Sequence, residues 1–183
     1  MTDRPGILYN RKLGIIIMCV MIFAACLLGT WKPLHKERNE VEALFWGGEH
    51  TEYSINEDLE DKAGYAGNMA VLANKYGVDA GELEEIIKQL KEAKTPVQKL
   101  QKNQALDASA ESLIEILVNT DMSEADKKAL SSVKTRLESQ NDLVKRGVQK
   151  YNEAAEAYNK KIGEFPAAIF RIFVGLSAQE VIV

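Results

Sequence analysis

The sequence predicts an all-α protein: an N-terminal transmembrane helix followed by an antiparallel up-and-down bundle of three to four long helices. Three observations predict it. Residues 13–31 form an uncharged apolar run, apolar residues recur at helical spacing through most of the chain beyond that run, and Gly, Pro and Ser- or Asp-led starts punctuate the pattern. A chain of 183 residues has room for one domain of moderate size and a small appendage. The expected organisation is a short tail at 1–12, an anchor at 13–31, a helical bundle at 32–166 and an apolar C-terminal tail at 167–183.

The run LGIIIMCVMIFAACLLGTW carries no charge, and at about 1.5 Å per residue it spans roughly 28 Å, enough to cross the hydrocarbon of a bilayer. Arg11 and Lys12 bound its near end as cations that stay in water, and Trp31 suits a headgroup boundary at the far end. A cleaved signal peptide fits less well, because no small-x-small site precedes a polar region. Lipidation at Cys26 is an alternative, since Phe23-Ala24-Ala25-Cys26 resembles a lipobox, although Phe is unusual at its first position and the run continues past the Cys. Both cysteines, Cys19 and Cys26, lie inside the run, so the rest of the chain has no thiol to staple or ligate anything.

Orientation is read as a single pass through a bacterial cell membrane with the helical domain extracytoplasmic. Arg4, Arg11 and Lys12 before the run balance Lys32, Lys36 and Arg38 after it, and a short basic tail ahead of an apolar run is the form of a signal anchor. The whole chain has a formal charge of −4, and removing the tail's net +2 (Arg4, Arg11, Lys12 and Asp3) leaves the rest at about −6. Such a surface does not attract nucleic acid or anionic lipid.

Beyond the run, Leu34, Val41, Leu44 and Phe45 continue a helix to Gly47-Gly48. GGEHTEYSIN reads as a loop with Tyr53 and Ile55 tucked back onto the body. A helix from about Asn56 to Tyr76 carries Leu59, Ala66, Met69, Ala70, Ala73 and Tyr76 on one face and stops at Gly77. Asp79 with Glu82 forms a capping-box start. Leu83, Ile86, Ile87, Leu90, Val97 and Leu100, then Leu106, Ala110, Leu113 and Leu117, make one long stripe. Pro96 within it marks either a kink or, with Thr95 as cap, a new helix. The link NTDM leads to a second capped start at Ser123 with Asp126. From there Leu137, Asn141, Val144, Val148, Tyr151, Ala155, Tyr158 and Ile162 alternate steps of four and three over a helix of about 124–163, the seam of helices packed at a shallow angle. A helix merely kinked over 80–118 would match it in length and form a hairpin with it. Asn141 on the seam is placed to fix packing register.

No chemistry of catalysis is legible. His35 and His50 lack Cys partners and Glu-x-x-His spacing, so no metal site is expected. There is no phosphate loop, nucleophile elbow or Cys-His pair, so neither a catalytic residue nor a cofactor is assigned. Tyr151 and Tyr158 fall at equivalent seam positions, which favours packed aromatics over a ligand surface. Asn152 and Asn159, one residue off the seam, either bond to a neighbour or face water. The tail AAIFRIFVGL at 167–176 is unusually apolar, and docks on the bundle or meets membrane or protein.

The stretch RGVQKYNEAAEAYNKKIGEFPAAIF resembles the LemA family of bacterial membrane proteins, whose strongest pattern is an Arg, then YN-x5-YN-x5-FP, then an apolar, Ala-containing tail. The matching residues are Arg146, Tyr151, Asn152, Tyr158, Asn159, Phe165 and Pro166. Upstream, Leu59, Lys62, Asn68, Met69 and Tyr76 resemble a further family segment, so that the likeness covers residues 34–176. It departs in the loop at 47–55, in lacking an Ile-Pro-Asn-Leu step, and in having NTDM for a Tyr-Pro link. The resemblance implies an anchored antiparallel helical bundle and lends no catalytic residue. The expected function is accordingly an interaction or scaffold module of the envelope, held to the lipid bilayer through 13–31 and binding a protein partner. A ligand-binding or sensor domain with a cavity near Tyr151 and Tyr158 is the alternative, and a hydrolase with a non-obvious carboxylate pair is a third.

Overall fold

The computed structural model describes residues 11–48, 53–165, 167–173 and 175–182. Its described residues form six helices and no strand: α1 Arg11–Trp46, α2 Ile55–Lys75, α3 Gly81–Glu92, α4 Pro96–Val118, α5 Glu124–Gly163 and α6 Ala167–Phe170. The all-α expectation therefore holds. The chain divides into two compact units, Met1–Val41 with Ala154–Glu180, and Glu42–Glu153 with Val181–Val183.

The apolar run and the helix expected after it are one element. α1 continues through residue 31 without a break and is long and apolar enough to cross a membrane, with a mean hydropathy of 2.6 over its best window and none of that window buried. Pro33 lies inside it, where it offers no N–H to the carbonyl four residues back, at Gly29. The helix stops at Trp46 because Gly47 takes the left-handed conformation, φ 87°, and donates its N–H to the Ala43 carbonyl at 2.9 Å.

Within the second unit, α2 to α5 alternate in direction. α2 starts one residue earlier than the periodicity suggests, at Ile55, because Ser54 caps it: the Ser54 hydroxyl accepts from the Glu57 N–H at 3.2 Å. Ile55 is buried, as expected, whereas Tyr53 is 77% exposed and does not tuck back. His50 lies outside the described residues. At the other end Gly77, φ 70°, ends the turn after α2, and the Asn74 amide reaches Glu84 of α3.

In the next stretch one expectation is corrected and the open choice at Pro96 is decided. The residue at the start of α3 is Ala80, not Asp79; the Asp79 carboxylate instead accepts from the Gly81 N–H at 2.9 Å, a two-residue turn that closes one step too early to cap the helix. Nor do residues 80–118 form one long helix. α3 ends at Glu92, and α4 is a new helix with Thr95 as N-cap, its hydroxyl accepting from the Gln98 N–H at 3.2 Å, and Pro96 in the first turn. α3 and α4 are antiparallel neighbours, joined along their length by Lys102 donating to Gln89 at 2.7 Å. The matched pair of long helices is thus replaced by a short and a medium helix beside α5, which at 40 residues is about 60 Å long.

α5 starts as the Ser123 signal indicates. The Ser123 hydroxyl accepts from the Asp126 N–H at 3.2 Å and donates to the Asp126 carboxylate at 2.6 Å. The same carboxylate oxygen takes Tyr76 Oη at 2.5 Å and Lys75 Nζ at 2.8 Å, so the end of α2 is tied to the beginning of α5. Those hydrogen bonds, Lys75's first, hold the Asp126 carboxyl well below the usual carboxylate range. Further along, Arg136 donates to Tyr65 Oη at 3.2 Å, Lys62 reaches Asn141, and Gly147 lies under Ile55. Rising numbers on one helix meet falling numbers on the other, which makes α2 and α5 antiparallel. Met69, Leu83, Leu90, Leu106 and Leu117 fill the centre of this unit, each at most 1% exposed.

Candidate functional site on the last long helix

The seam of α5 sends Tyr151, Ala155, Tyr158 and Ile162 into the interior, with Tyr151 3% and Tyr158 1% exposed. In the second unit the Tyr151 ring meets Phe45 edge-on, 6.0 Å between centroids. One residue further round the helix from each tyrosine stands an asparagine, half-buried, and each holds one residue of the C-terminal tail by two hydrogen bonds. Asn152 donates its amide to the Ile182 carbonyl at 2.6 Å and accepts from the Ile182 N–H at 2.8 Å. Asn159 does the same to Gln179, donating to its carbonyl at 2.8 Å and accepting from its N–H at 2.7 Å. A carboxamide is the one neutral side-chain group that presents a donor and an acceptor on the same edge, which is what the N–H and C=O of a single extended residue require.

The two asparagines stand seven residues apart on α5, and the tail residues they hold stand three apart. The contacts are made to main-chain atoms alone, so the tail's side chains leave no mark of them in the sequence.

The remaining motif residues do not join these clamps. Arg146 is exposed on α5 and donates Nε to the Asp142 carbonyl at 3.2 Å, while its charge opposes the upward push that burial, Asp61 and Glu57 exert on the Asp58 carboxyl. Phe165 is 82% exposed. Pro166 lies outside the described residues.

A second polar cluster, inside the second unit, was visible in the sequence only as a basic residue matched to the family and as Asn141 on the seam of α5. Lys62 of α2 is 0% exposed. Its ammonium donates to Asp107 at 2.6 Å and to Asn103 at 2.6 Å on α4, and to Asn141 on α5. All three of its protons have an acceptor, one from each of three positions on two helices. Burial pulls the Lys62 pKa down, opposed by the hydrogen bond and charge of Asp107. The available signal was positional, since residue 62 falls at helical spacing between Leu59 and Ala66 on the apolar face. Asn141 does tie its helix to α2, through this lysine. The cluster ties α2 to α4 and α5 at fixed positions along each helix. Among the described residues no group of three or more His, Cys, Asp or Glu side chains is arranged to hold a metal ion. His35 stacks edge-on against Trp31, 5.4 Å between ring centroids.

The model of the LemA family matches residues 71–182. The chain belongs to the LemA family. The match takes in Tyr76, the whole of α3 to α5 and both tail residues held by the asparagines. It extends past residue 176 at one end, and begins after Leu59, Lys62, Asn68 and Met69 at the other. Comparisons of this LemA-family chain with the curated proteins and with the solved structures find no match.

Proposed function

We propose that this chain is a membrane-tethered helical interaction module of the bacterial envelope, without catalysis, anchored by the apolar part of α1 and with its helical domain extracytoplasmic. The observation that carries the interaction role is the pair of asparagine clamps. α5 offers a helix face that takes hold of extended polypeptide through main-chain atoms, and such recognition accepts partners of many sequences. The tail occupies that face in this chain. The family membership and the membrane-length α1 support the setting at an envelope membrane.

The alternative, a sensor with a ligand cavity beside Tyr151 and Tyr158, has no comparable support. One apolar groove runs along α1, lined by Gly14, Ile17, Met18, Met21, Ile22 and Ala25. Two measurements test the proposal. In detergent, a chain stopped after Leu176 is expected to bind a fluorescent peptide of residues 177–183 saturably, and to lose that binding in the Asn152→Ala, Asn159→Ala double variant; equal binding by both would sink the clamp reading. Protease added to intact cells is expected to digest the helical domain, whereas digestion only in inside-out vesicles reverses the orientation.

A further inference from the structure

The first unit carries an exposed apolar stripe that neither the clamps nor α1 accounts for. Phe165 is 82% exposed, Ile169 53%, Ile172 79% and Phe173 70%. Ile169 lies in α6, with Phe165 ahead of it and Ile172 and Phe173 in the turn that follows. Water is a poor solvent for four such side chains side by side.

Two observations say what covers them. The Phe173 ring meets Phe23 of α1 edge-on, 6.1 Å between centroids. Phe23 lies eight residues before Trp31, about 12 Å along the helix from the end of the apolar run. The segment therefore lies at the level of the hydrocarbon whenever that run spans a bilayer. The segment's backbone is also suited to lipid, where an unpaired peptide group is costly. Ala168 donates to the Glu164 carbonyl at 2.8 Å, Arg171 to that of Ala167 at 2.8 Å, and Leu176 closes back on Arg171 at 2.9 Å with Gly175 at φ 69°. That last pair is the glycine-terminated closure of a helix end. Arg171, exposed within the stretch, has the long stem that lets a cation reach the headgroups while its neighbours are in the chains.

We propose that residues 167–173, with Phe165 ahead of them, form a second membrane-seated element, an interfacial helical turn that inserts Phe165, Ile169, Ile172 and Phe173 into the leaflet from which α1 emerges. It rests on the reading of α1 as an anchor. The ligand is the acyl-chain region of a phospholipid bilayer, and the element pins the end of α5 to the membrane surface.

The test uses the full chain with Cys19→Ser and Cys26→Ser, labelled with an environment-sensitive fluorophore at one new cysteine: Val20→Cys in the apolar run, Ile172→Cys in the stripe, or Lys150→Cys on the exposed face of α5. Each is reconstituted in phosphatidylcholine and phosphatidylglycerol vesicles with plain or brominated acyl chains. The labels at 20 and 172 are expected to lose most of their emission in brominated lipid, and the label at 150 to keep it. Quenching at 20 without quenching at 172 overturns the inference while leaving the anchor intact; a blue-shifted label at 172 that ignores bromine would then mean a protein, a second copy included, covers the stripe. Absence of quenching at 20 removes the anchor and this inference with it.

Discussion

Lys62 shows how a single residue can cost stability and still set a structure. An ammonium with no solvent contact has lost its hydration, and its three acceptors return only part of that. Replacing the pair together, Lys62→Met with Asp107→Leu, is expected to be neutral or stabilising, whereas Asp107→Ala alone strands the charge and is expected to cost about 3 kcal/mol. Urea titration of the full chain in non-ionic detergent separates the two. The pH dependence comes from the direction of the shift. The folded-state Lys62 pKa lies below its ordinary value of 10.5, so between the two the unfolded chain binds more protons. Stability contributed through Lys62 is constant below the folded value and rises with pH toward 10.5, so the parent should gain stability relative to the Lys62→Met, Asp107→Leu double variant over that alkaline window. A parent that loses stability relative to it there would contradict the assignment. At the same scale, Asn152→Ala and Asn159→Ala each remove a donor and an acceptor from one tail residue. Each is expected to speed amide exchange at Ile182 or Gln179 respectively by an amount worth about 1–3 kcal/mol, with the core amides unaffected.

Among the helices, the same substitution has opposite signs in two places. A methyl on Gly147 of α5 would meet Ile55 Cγ1 at 2.8 Å, and Ile55 is buried at 1% exposure with nowhere to retreat. Gly147→Ala should therefore destabilise by about 1–2 kcal/mol, with the overpacking outweighing the helix-propensity gain. It should be relieved by Ile55→Val. Gly64 of α2 has nothing within 4 Å, and Gly64→Ala should stabilise by about 0.5–1 kcal/mol. Thermal melts of the two variants check both signs. The elements also show what a sequence can carry. The ends of α5 were legible because Ser123 and Gly163 are local signals. The break before α4 was not decided, because Leu83 to Leu100 keeps helical periodicity across it, and periodicity cannot distinguish one helix from two in phase; Thr95 and Pro96 held the information. Ser54 and Glu57 formed a start signal for α2 that the loop composition masked. The tail's attachment had no legible partner at all, since Gln179 and Ile182 are held by atoms every residue has.

At the scale of the chain, the central core is independent of the tail. The packed cluster runs from Ala63 to Leu137, so a chain stopped after Leu176 should keep its helical content. Losing the four clamp hydrogen bonds should lower its melting temperature by roughly 5–10 °C relative to the full chain. Circular dichroism in detergent reads both quantities; a loss of helix instead of a lowered midpoint would mean that the tail is needed to fold the bundle.

The clamps also bear on how such chains diverge. An asparagine that reads only N–H and C=O puts no demand of its own on the side chain it holds, and at position 179 it excludes only Pro, which has no N–H to give. Position 182 is limited further only by its burial, to an apolar residue. The asparagines have no such freedom, because Asp lacks the donor and Gln places its amide one carbon further out. Substitutions accumulating over generations should therefore leave 152 and 159 fixed opposite a tail whose sequence changes around them.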